Sequence, residues 1–154
     1  MLFLMEVLFE RYVEVLLRRQ LLAGSKLRAQ LSGQDLCLHQ ERGMFRLKPD
    51  LLLDLAGQNW VLDTKWKLLD AGAVSDKYGL SQADFYQMFA YGQKYLAGSG
   101  DMLLIYPCTE RFQKPLPLFE FSPELRLQVV PFDLESGILC LDGLITLPLA
   151  SGGH

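Results

Sequence analysis

The sequence predicts an α/β protein organised as an α/β/α sandwich, with a central mixed β-sheet flanked by helices. Two helical patterns appear, at residues 3–22 and 82–96, and strand-like segments lie between and after them. Residues 102–106 are apolar throughout, which is typical of a strand buried at the centre of a sheet. This order of elements favours a sheet that is covered by helices on its faces.

The first helix shows the clearest periodicity. Its apolar side chains recur at the spacing of one helix face, as in Leu4, Leu8, Val15 and Leu22. Its charged side chains recur every four residues: Glu6, Glu10, Glu14 and Arg18. Gly24 then ends the helix. We therefore expect an amphipathic helix that packs on the sheet.

The strands come next along the chain. Two short strands are predicted at residues 26–31 and 36–40, around a turn at residues 32–35. Two longer strand-like runs follow at residues 47–55 and 60–67. Together with the apolar run described above, they supply the predicted centre of the sheet.

The two longer runs form an antiparallel hairpin if the chain turns at Ala56 and Gly57. In that register Asp50 lies directly opposite Asp63. A loop that is two residues longer keeps both carboxylates on one face, whereas a slip of one residue separates them. Within the second run, Asp63 and Lys65 share a face and Thr64 points to the other.

The last elements are weaker in sequence. Residues 70–79 are predicted to form a polar loop, and Ser81 is a suitable N-cap for the second helix. Residues 118–121 and 125–132 resemble edge strands of a sheet.

Composition favours one domain, at residues 1–148, followed by a frayed tail at residues 149–154. The chain has 154 residues, half of them hydrophobic, which is enough to build a core. No apolar run approaches the roughly 20 residues of a membrane span, and the N-terminus lacks a signal-peptide pattern. Three widely spaced cysteines favour free thiols in a reducing cytoplasm over disulfides or a zinc or iron–sulfur site.

The formal net charge of −3 has the wrong sign for strong, unaided binding to nucleic acid. Residues 1–67 nevertheless contain ten Lys and Arg against eight Asp and Glu, so that basic groups there offer a phosphate track. Two interpretations stay open. The protein depends on a partner or a multimer for DNA affinity, or the charges are scattered and merely solvated.

Asp50, Asp63 and Lys65 form the strongest candidate site. Two carboxylates and an ammonium group on one sheet face can bind a divalent metal ion and activate a water molecule. The alternative is an Asp–Lys pair on the surface of a hairpin. The apolar residues at 51–53 and 61–62 favour the first interpretation, because central strands rarely carry unpaired acids on a buried face.

Four segments, taken in order, resemble a known nuclease family: residues 9–13 (FERYV), 48–50 (KPD), 62–67 (LDTKWK) and 84–91 (DFYQMFAY). The spacing of Asp50, Asp63 and Lys65 is similar to the PD-(D/E)xK nuclease signature. The segments are most similar to the nuclease domain of McrC-type subunits of 5-methylcytosine restriction systems. The resemblance covers residues 8–107.

The resemblance implies a restriction-endonuclease-like fold and a DNA endonuclease that depends on Mg²⁺ or Mn²⁺. Asp50, Asp63 and the backbone carbonyl of Thr64 would hold the metal ion. Lys65 would orient or deprotonate the attacking water, or neutralise the phosphate.

Three further residues are implied in the site. Gln87 and Tyr91 form the Q-x-x-x-Y motif that also marks RecB-like nucleases, and their spacing puts them on one helix face. They would contact the DNA backbone or a metal-bound water. Glu10 on the first helix would add a metal ligand or an outer contact. Packing explains Tyr91 and solvation explains Gln87 and Glu10 as alternatives. Asp84 lies one turn before Gln87, and a favourable contact with the helix dipole explains it just as well as a place near the site.

The resemblance also implies DNA as substrate and a GTP-driven, McrB-like AAA+ motor as partner. McrC-type proteins carry a further domain ahead of the nuclease that contacts this motor, whereas this sequence begins at the first nuclease helix. We therefore expect a fragment, a truncated gene product or a stand-alone nuclease. Cutting both DNA strands would take two copies, as in a homodimer. The alternatives are a RecB-like exonuclease in DNA repair and a non-catalytic nuclease-fold module for DNA binding or assembly.

Overall fold

A computed structural model describes residues 2–21, 23–29, 33–55 and 57–141 of the chain. Two α-helices lie in this part, α1 (Leu2–Gln20) and α2 (Gln82–Tyr95), with a 3-10 helix (Val74–Gly79) inside the predicted polar loop. Neither α-helix of the described chain has the length and apolar character to cross a membrane. The predicted tail lies outside the described residues.

The described residues form nine strands: β1 (Ser25–Ala29), β2 (Gln34–His39), β3 (Arg42–Leu47), β4 (Leu51–Leu55), β5 (Gln58–Thr64), β6 (Gly100–Pro107), β7 (Phe119–Glu120), β8 (Leu125–Asp133) and β9 (Ile138–Leu139). Seven of them make one sheet in the order β1-β4-β5-β6-β8-β7, with β9 also paired to β8. The pairs β5–β6 and β6–β8 are parallel and the other pairs are antiparallel, so the sheet is mixed, as predicted.

The two helices cover opposite faces of this sheet. Helix α1 packs Phe9, Val13 and Leu17 into a core with inward residues of β4, β5 and β6. Helix α2 packs Met88 and Tyr91 into a second core on the other face. Because strand side chains alternate between faces, each apolar strand contributes to both cores. The predicted α/β/α sandwich is therefore confirmed.

The β4–β5 hairpin has the register expected for a turn at Ala56 and Gly57. Leu51 pairs with Leu62, so Asp50 stands opposite Asp63 at the open end of the hairpin. Gly57 adopts a φ of 87°, a conformation that glycine tolerates, and its N–H donates to the carboxylate of Asp54 at 3.1 Å. The turn therefore fixes which acids face each other at the far end.

Two predictions about the strands before this hairpin were wrong. Strand β1 does not form a hairpin with β2 but pairs with β4, where Leu27 joins the core. Strand β2 pairs with β3 in a separate two-stranded ribbon, which turns at Gln40 and Glu41 with φ values of 51° and 66°. The predicted run 47–55 is consequently split, because β3 ends at Leu47 and β4 begins after Asp50.

Strand β8 was predicted at an edge and lies inside the sheet instead. It pairs along its whole length with β6 and also with β7 and β9. The polar residues Arg126 and Gln128 gave the segment its edge-like pattern. Arg126 reaches Asp101 on the neighbouring strand at 3.0 Å, and Gln128 is only 7% exposed, so both polar residues are accommodated in an interior strand.

Candidate active site

The predicted site residues meet at the open end of the β4–β5 hairpin. Asp50 lies at the bend just before β4. Asp63 is the next-to-last residue of β5, and Lys65 directly follows the end of β5. The N–H of Lys65 donates to the carbonyl of Ile105 at 2.9 Å, which holds this end of β5 against β6. Helix α1 approaches from one face of the sheet and α2 from the other.

One hydrogen bond joins Asp50 to Asp63, and two more join Thr64 to Asp50. The N–H of Asp50 donates to Oδ1 of Asp63 at 3.0 Å. Oδ2 of Asp50 accepts from the N–H of Thr64 at 2.8 Å and from its hydroxyl at 2.6 Å. The expectation that the Thr64 side chain points away from the acids was wrong, because Asp50 precedes the regular strand and its carboxylate reaches the other face.

Asp63 is the most buried acid of the site, at 3% exposure. Burial and the neighbouring charge of Asp50 raise the pKa of Asp63 to about 8. Lys65 opposes this shift, since its Nζ lies 3.4 Å from Oδ2 of Asp63. In the metal-free protein at neutral pH, the pair formed by Asp50 and Asp63 therefore carries a proton, and Lys65 beside it keeps its positive charge.

Glu10 joins the cluster from α1. Burial and the carboxylate of Asp50, to which it is hydrogen-bonded, raise the pKa of Glu10 to about 7. Glu10 thus does not belong to a solvated stripe on the outside of the helix. The structure brings it into contact with Asp50, as one of the two sequence interpretations expected.

Lys65 is held by groups from both the sheet and α2. Its Nζ donates to Oε1 of Gln87 at 2.9 Å and lies 3.6 Å from Oδ1 of Asp84. Burial by itself would lower the pKa of Lys65, but Asp63 and Asp84 raise it above its ordinary value. In the metal-free protein the Lys65 side chain therefore stays an ammonium group.

Tyr91 lies in the site region but its contact is with the backbone. The side chain is 2% exposed, and its hydroxyl donates to the carbonyl of Lys48 at 3.3 Å. Tyr95, one turn later, donates to the carbonyl of Leu47 at 3.0 Å. These two bonds fasten the end of β3 to α2 just before Asp50. Gln87, the other residue of the motif, contacts Lys65 directly.

The sequence interpretation left Asp84 outside the predicted site and missed Tyr106. Asp84 contacts Lys65 as described, and the fully buried Tyr106 side chain of β6 lies beside Asp84. Asp84 precedes Gln87 by three residues and shares its helix face, but this spacing alone did not decide between a site residue and a contact with the helix dipole. Nothing in the sequence near Tyr106 indicates its proximity, because the parallel pairing of β5 and β6 creates it.

The chemistry of the donors fits a divalent cation. Three carboxyl groups, those of Glu10, Asp50 and Asp63, converge with Lys65 as the contacting cation, and their mutual repulsion is relieved by protons in the metal-free state. In the part of the chain that the structure describes, no three His, Cys, Asp or Glu side chains are already grouped as a metal cage. The metal ligands predicted from the sequence are the carboxylates of Asp50 and Asp63 and the backbone carbonyl of Thr64.

Comparison with known proteins places this geometry in context. A family model described as "McrBC 5-methylcytosine restriction system component" matches residues 1–107. A search of curated proteins returned no match. Among solved structures, a chain of the half-complex from a tetradecameric assembly of Thermococcus gammatolerans McrB AAA+ hexamers with bound McrC is similar, with 18% identity and a TM-score of 0.60. The match covers 84% of this chain but 28% of the other, so this chain spans under a third of that chain's length. This likeness supports the fold.

Proposed function

Because the chain belongs to the family of McrBC 5-methylcytosine restriction system components, we propose that it is the nuclease part of a McrC-type subunit. Its activity would be Mg²⁺-dependent hydrolysis of phosphodiester bonds within DNA, in the manner of the PD-(D/E)xK nucleases. The observation that carries the proposal is the pair of hydrogen-bonded acids, Asp50 and Asp63, beside the ammonium group of Lys65.

Asp50 and Asp63 would hold the metal ion together with the Thr64 carbonyl, and Glu10 would complete the donors from α1. Mg²⁺ bound there would supply a water of lowered pKa and stabilise negative charge on the phosphate oxygens. Lys65, next to Asp63 and Asp84, would orient or deprotonate that water, or neutralise the phosphate. Gln87 holds Lys65, and Tyr91 fixes the backbone before Asp50.

The binding partners of the protein are proposed on similar grounds. The similar solved structure contains McrC bound to McrB AAA+ hexamers, so a hexameric AAA+ motor is the proposed partner of the whole protein. The net charge of −3 supports dependence on such a partner for DNA affinity. One metal site cuts one strand, and double-strand cleavage would bring two copies together.

The test is incubation of the purified chain with covalently closed plasmid and with linear DNA, in Mg²⁺ or Mn²⁺. We expect nicking or linearisation of the closed circle by the wild type and a loss of at least about a hundredfold in rate for Asp63→Asn. Asp54→Asn is the matched control, because Asp54 lies on the same hairpin but serves the turn. Its rate should equal that of the wild type.

Other outcomes separate the remaining candidates. Degradation of linear DNA alone would favour a RecB-like exonuclease, since a closed circle has no end. No cleavage of either substrate, also after addition of an AAA+ partner, would favour a non-catalytic module. Equal rates for Asp63→Asn and the wild type would contradict the site.

A further inference from the structure

Lys65 stands between two acids, and only one of them belongs to the proposed metal site. Its Nζ lies 3.4 Å from Oδ2 of Asp63 and 3.6 Å from Oδ1 of Asp84, while Gln87 accepts its hydrogen bond at 2.9 Å. Asp84 and Gln87 both come from α2. The ammonium group is therefore held by the helix as well as by its own strand.

Asp84 faces the protein and not the solvent. It lies near the start of α2, and its side chain is 23% exposed, whereas the preceding helix residues Gln82 and Ala83 are exposed. The hydroxyl of Tyr106, a fully buried residue, lies beside it and makes no hydrogen bond of normal geometry with the described residues. A buried hydroxyl without a partner is costly, and a small turn of the Asp84 carboxylate would satisfy it.

We propose that Asp84 is a positioning residue that keeps the Lys65 ammonium group in place beside the substrate phosphate. This inference deepens the proposed function, on which its catalytic part rests. A metal ion bound to Asp63 would neutralise its carboxylate and thereby weaken the attraction of Asp63 for Lys65. Asp84 and Gln87 provide a second anchorage that is independent of Asp63, and Tyr106 supports Asp84 from the core side.

The rival explanation is local to the helix. An acid in the first turn of a helix is favourable because of the helix dipole, and the Ser81 hydroxyl already accepts from the N–H of Asp84. In that case Asp84 would stabilise α2 whatever residue stood at position 65. The two explanations differ in whether Asp84 and Lys65 depend on each other.

A double-mutant cycle in metal-free protein measures this dependence. We expect Asp84→Asn to lower the urea midpoint when Lys65 is present, and to leave it unchanged or raise it in the Lys65→Met background. A dipole effect would give the same shift in both backgrounds. Equal shifts would therefore overturn the proposal, and this result does not depend on whether the protein cleaves DNA.

A matched variant controls for the dipole. Gln82→Glu restores an acid to the first turn of α2 at an exposed position, about 200° around the helix from Asp84. Added to Asp84→Asn, it should not restore the lost midpoint if Asp84 acts through Lys65. Asp84→Glu, which keeps the charge on the same position, should restore part of it. Full rescue by Gln82→Glu would contradict the proposal.

Kinetics provide the second measurement. Asp84→Asn should lower kcat for DNA cleavage by between about tenfold and a hundredfold, because Lys65 is misplaced. The KM for DNA should stay the same or fall, since the variant removes a negative charge near a polyanion. A raised KM with unchanged kcat would contradict a positioning role. If the wild type does not cleave DNA, the proposed function fails while the cycle still decides the contact.

Discussion

Asp63 is an ionisable side chain in surroundings that disfavour its charge. Its pKa of about 8 lies above the ordinary 3.8 because the side chain is buried and faces Asp50. A raised pKa in the folded state means that the neutral acid is preferred there, so the contribution to stability is full at low pH. That contribution is lost as the pH rises through about 8. The sequence could not predict this shift, since burial arises only in the folded sheet.

We therefore expect the metal-free wild type to lose stability between pH 5 and pH 8, with a slope of up to about 1.4 kcal/mol per pH unit from Asp63. Glu10, with a pKa of about 7, contributes in the same direction. Asp63→Asn should show a smaller slope over this range, because the amide stays neutral and only the contribution of Glu10 remains. Urea denaturation with a chelator present measures this, and Asp54→Asn should keep the wild-type slope. If Asp63→Asn kept the pH slope of the wild type, the group with the raised pKa would be a residue other than Asp63.

The identity of the site residues was largely predictable, whereas their contacts were not. The register of Asp50 with Asp63 followed from the turn residue Gly57 and the alternation of the strands. The Thr64 hydroxyl contact did not, because it depends on the bend at Asp50. Asp84 could not be assigned from the sequence to the site or to the helix dipole, and only the folded structure shows its distance to Lys65.

At the scale of elements, α2 links the site to the sheet. Its residue Gly92 is fully packed, and a Cβ added there would lie 2.7 Å from the Leu125 side chain at the start of β8. Leu125 is itself 1% exposed and has little room to move. This close approach sets how near α2 lies to the strands, and thereby where Gln87 meets Lys65.

Gly92→Ala tests this packing. Alanine is normally favoured over glycine inside a helix by about 1 kcal/mol, but here the methyl group would overpack the contact with Leu125. We expect a net loss of about 1 kcal/mol in the free energy of unfolding, measured by urea denaturation. The double variant Gly92→Ala with Leu125→Val should recover part of the loss. A stabilised single variant would contradict the observed approach of α2.

The periodicity of the sequence predicted where the helices and strands lie more reliably than it predicted which strands pair with each other. Both α-helices and the central strand β6 were predicted, since their patterns are local. The pairing of β1 with β4 was not, because it skips the β2–β3 ribbon and joins distant segments. Strand β8 was predicted at an edge because polarity in sequence does not reveal that Gln128 is buried.

For the whole molecule, the net charge opposes binding to DNA. A chain with a charge of −3 has basic groups only in local tracks. We expect the isolated chain to bind duplex DNA without sequence preference, with a Kd between about 10⁻⁴ and 10⁻⁶ M at physiological salt. Fluorescence anisotropy with duplexes of different sequence measures this. Nanomolar, salt-resistant binding by the chain alone would contradict the need for a partner.

The proposed activity depends most directly on metal binding at Asp50 and Asp63. Calorimetric titration of the wild type with Mn²⁺ at pH 6 and pH 8 tests it, with Asp63→Asn and Asp54→Asn alongside. We predict tighter binding at the higher pH, because the protons on Asp63 and Glu10 must leave. We also predict at least about a tenfold loss of affinity for Asp63→Asn and none for Asp54→Asn. Equal affinity of Asp63→Asn and the wild type, or no dependence on pH, would contradict the account.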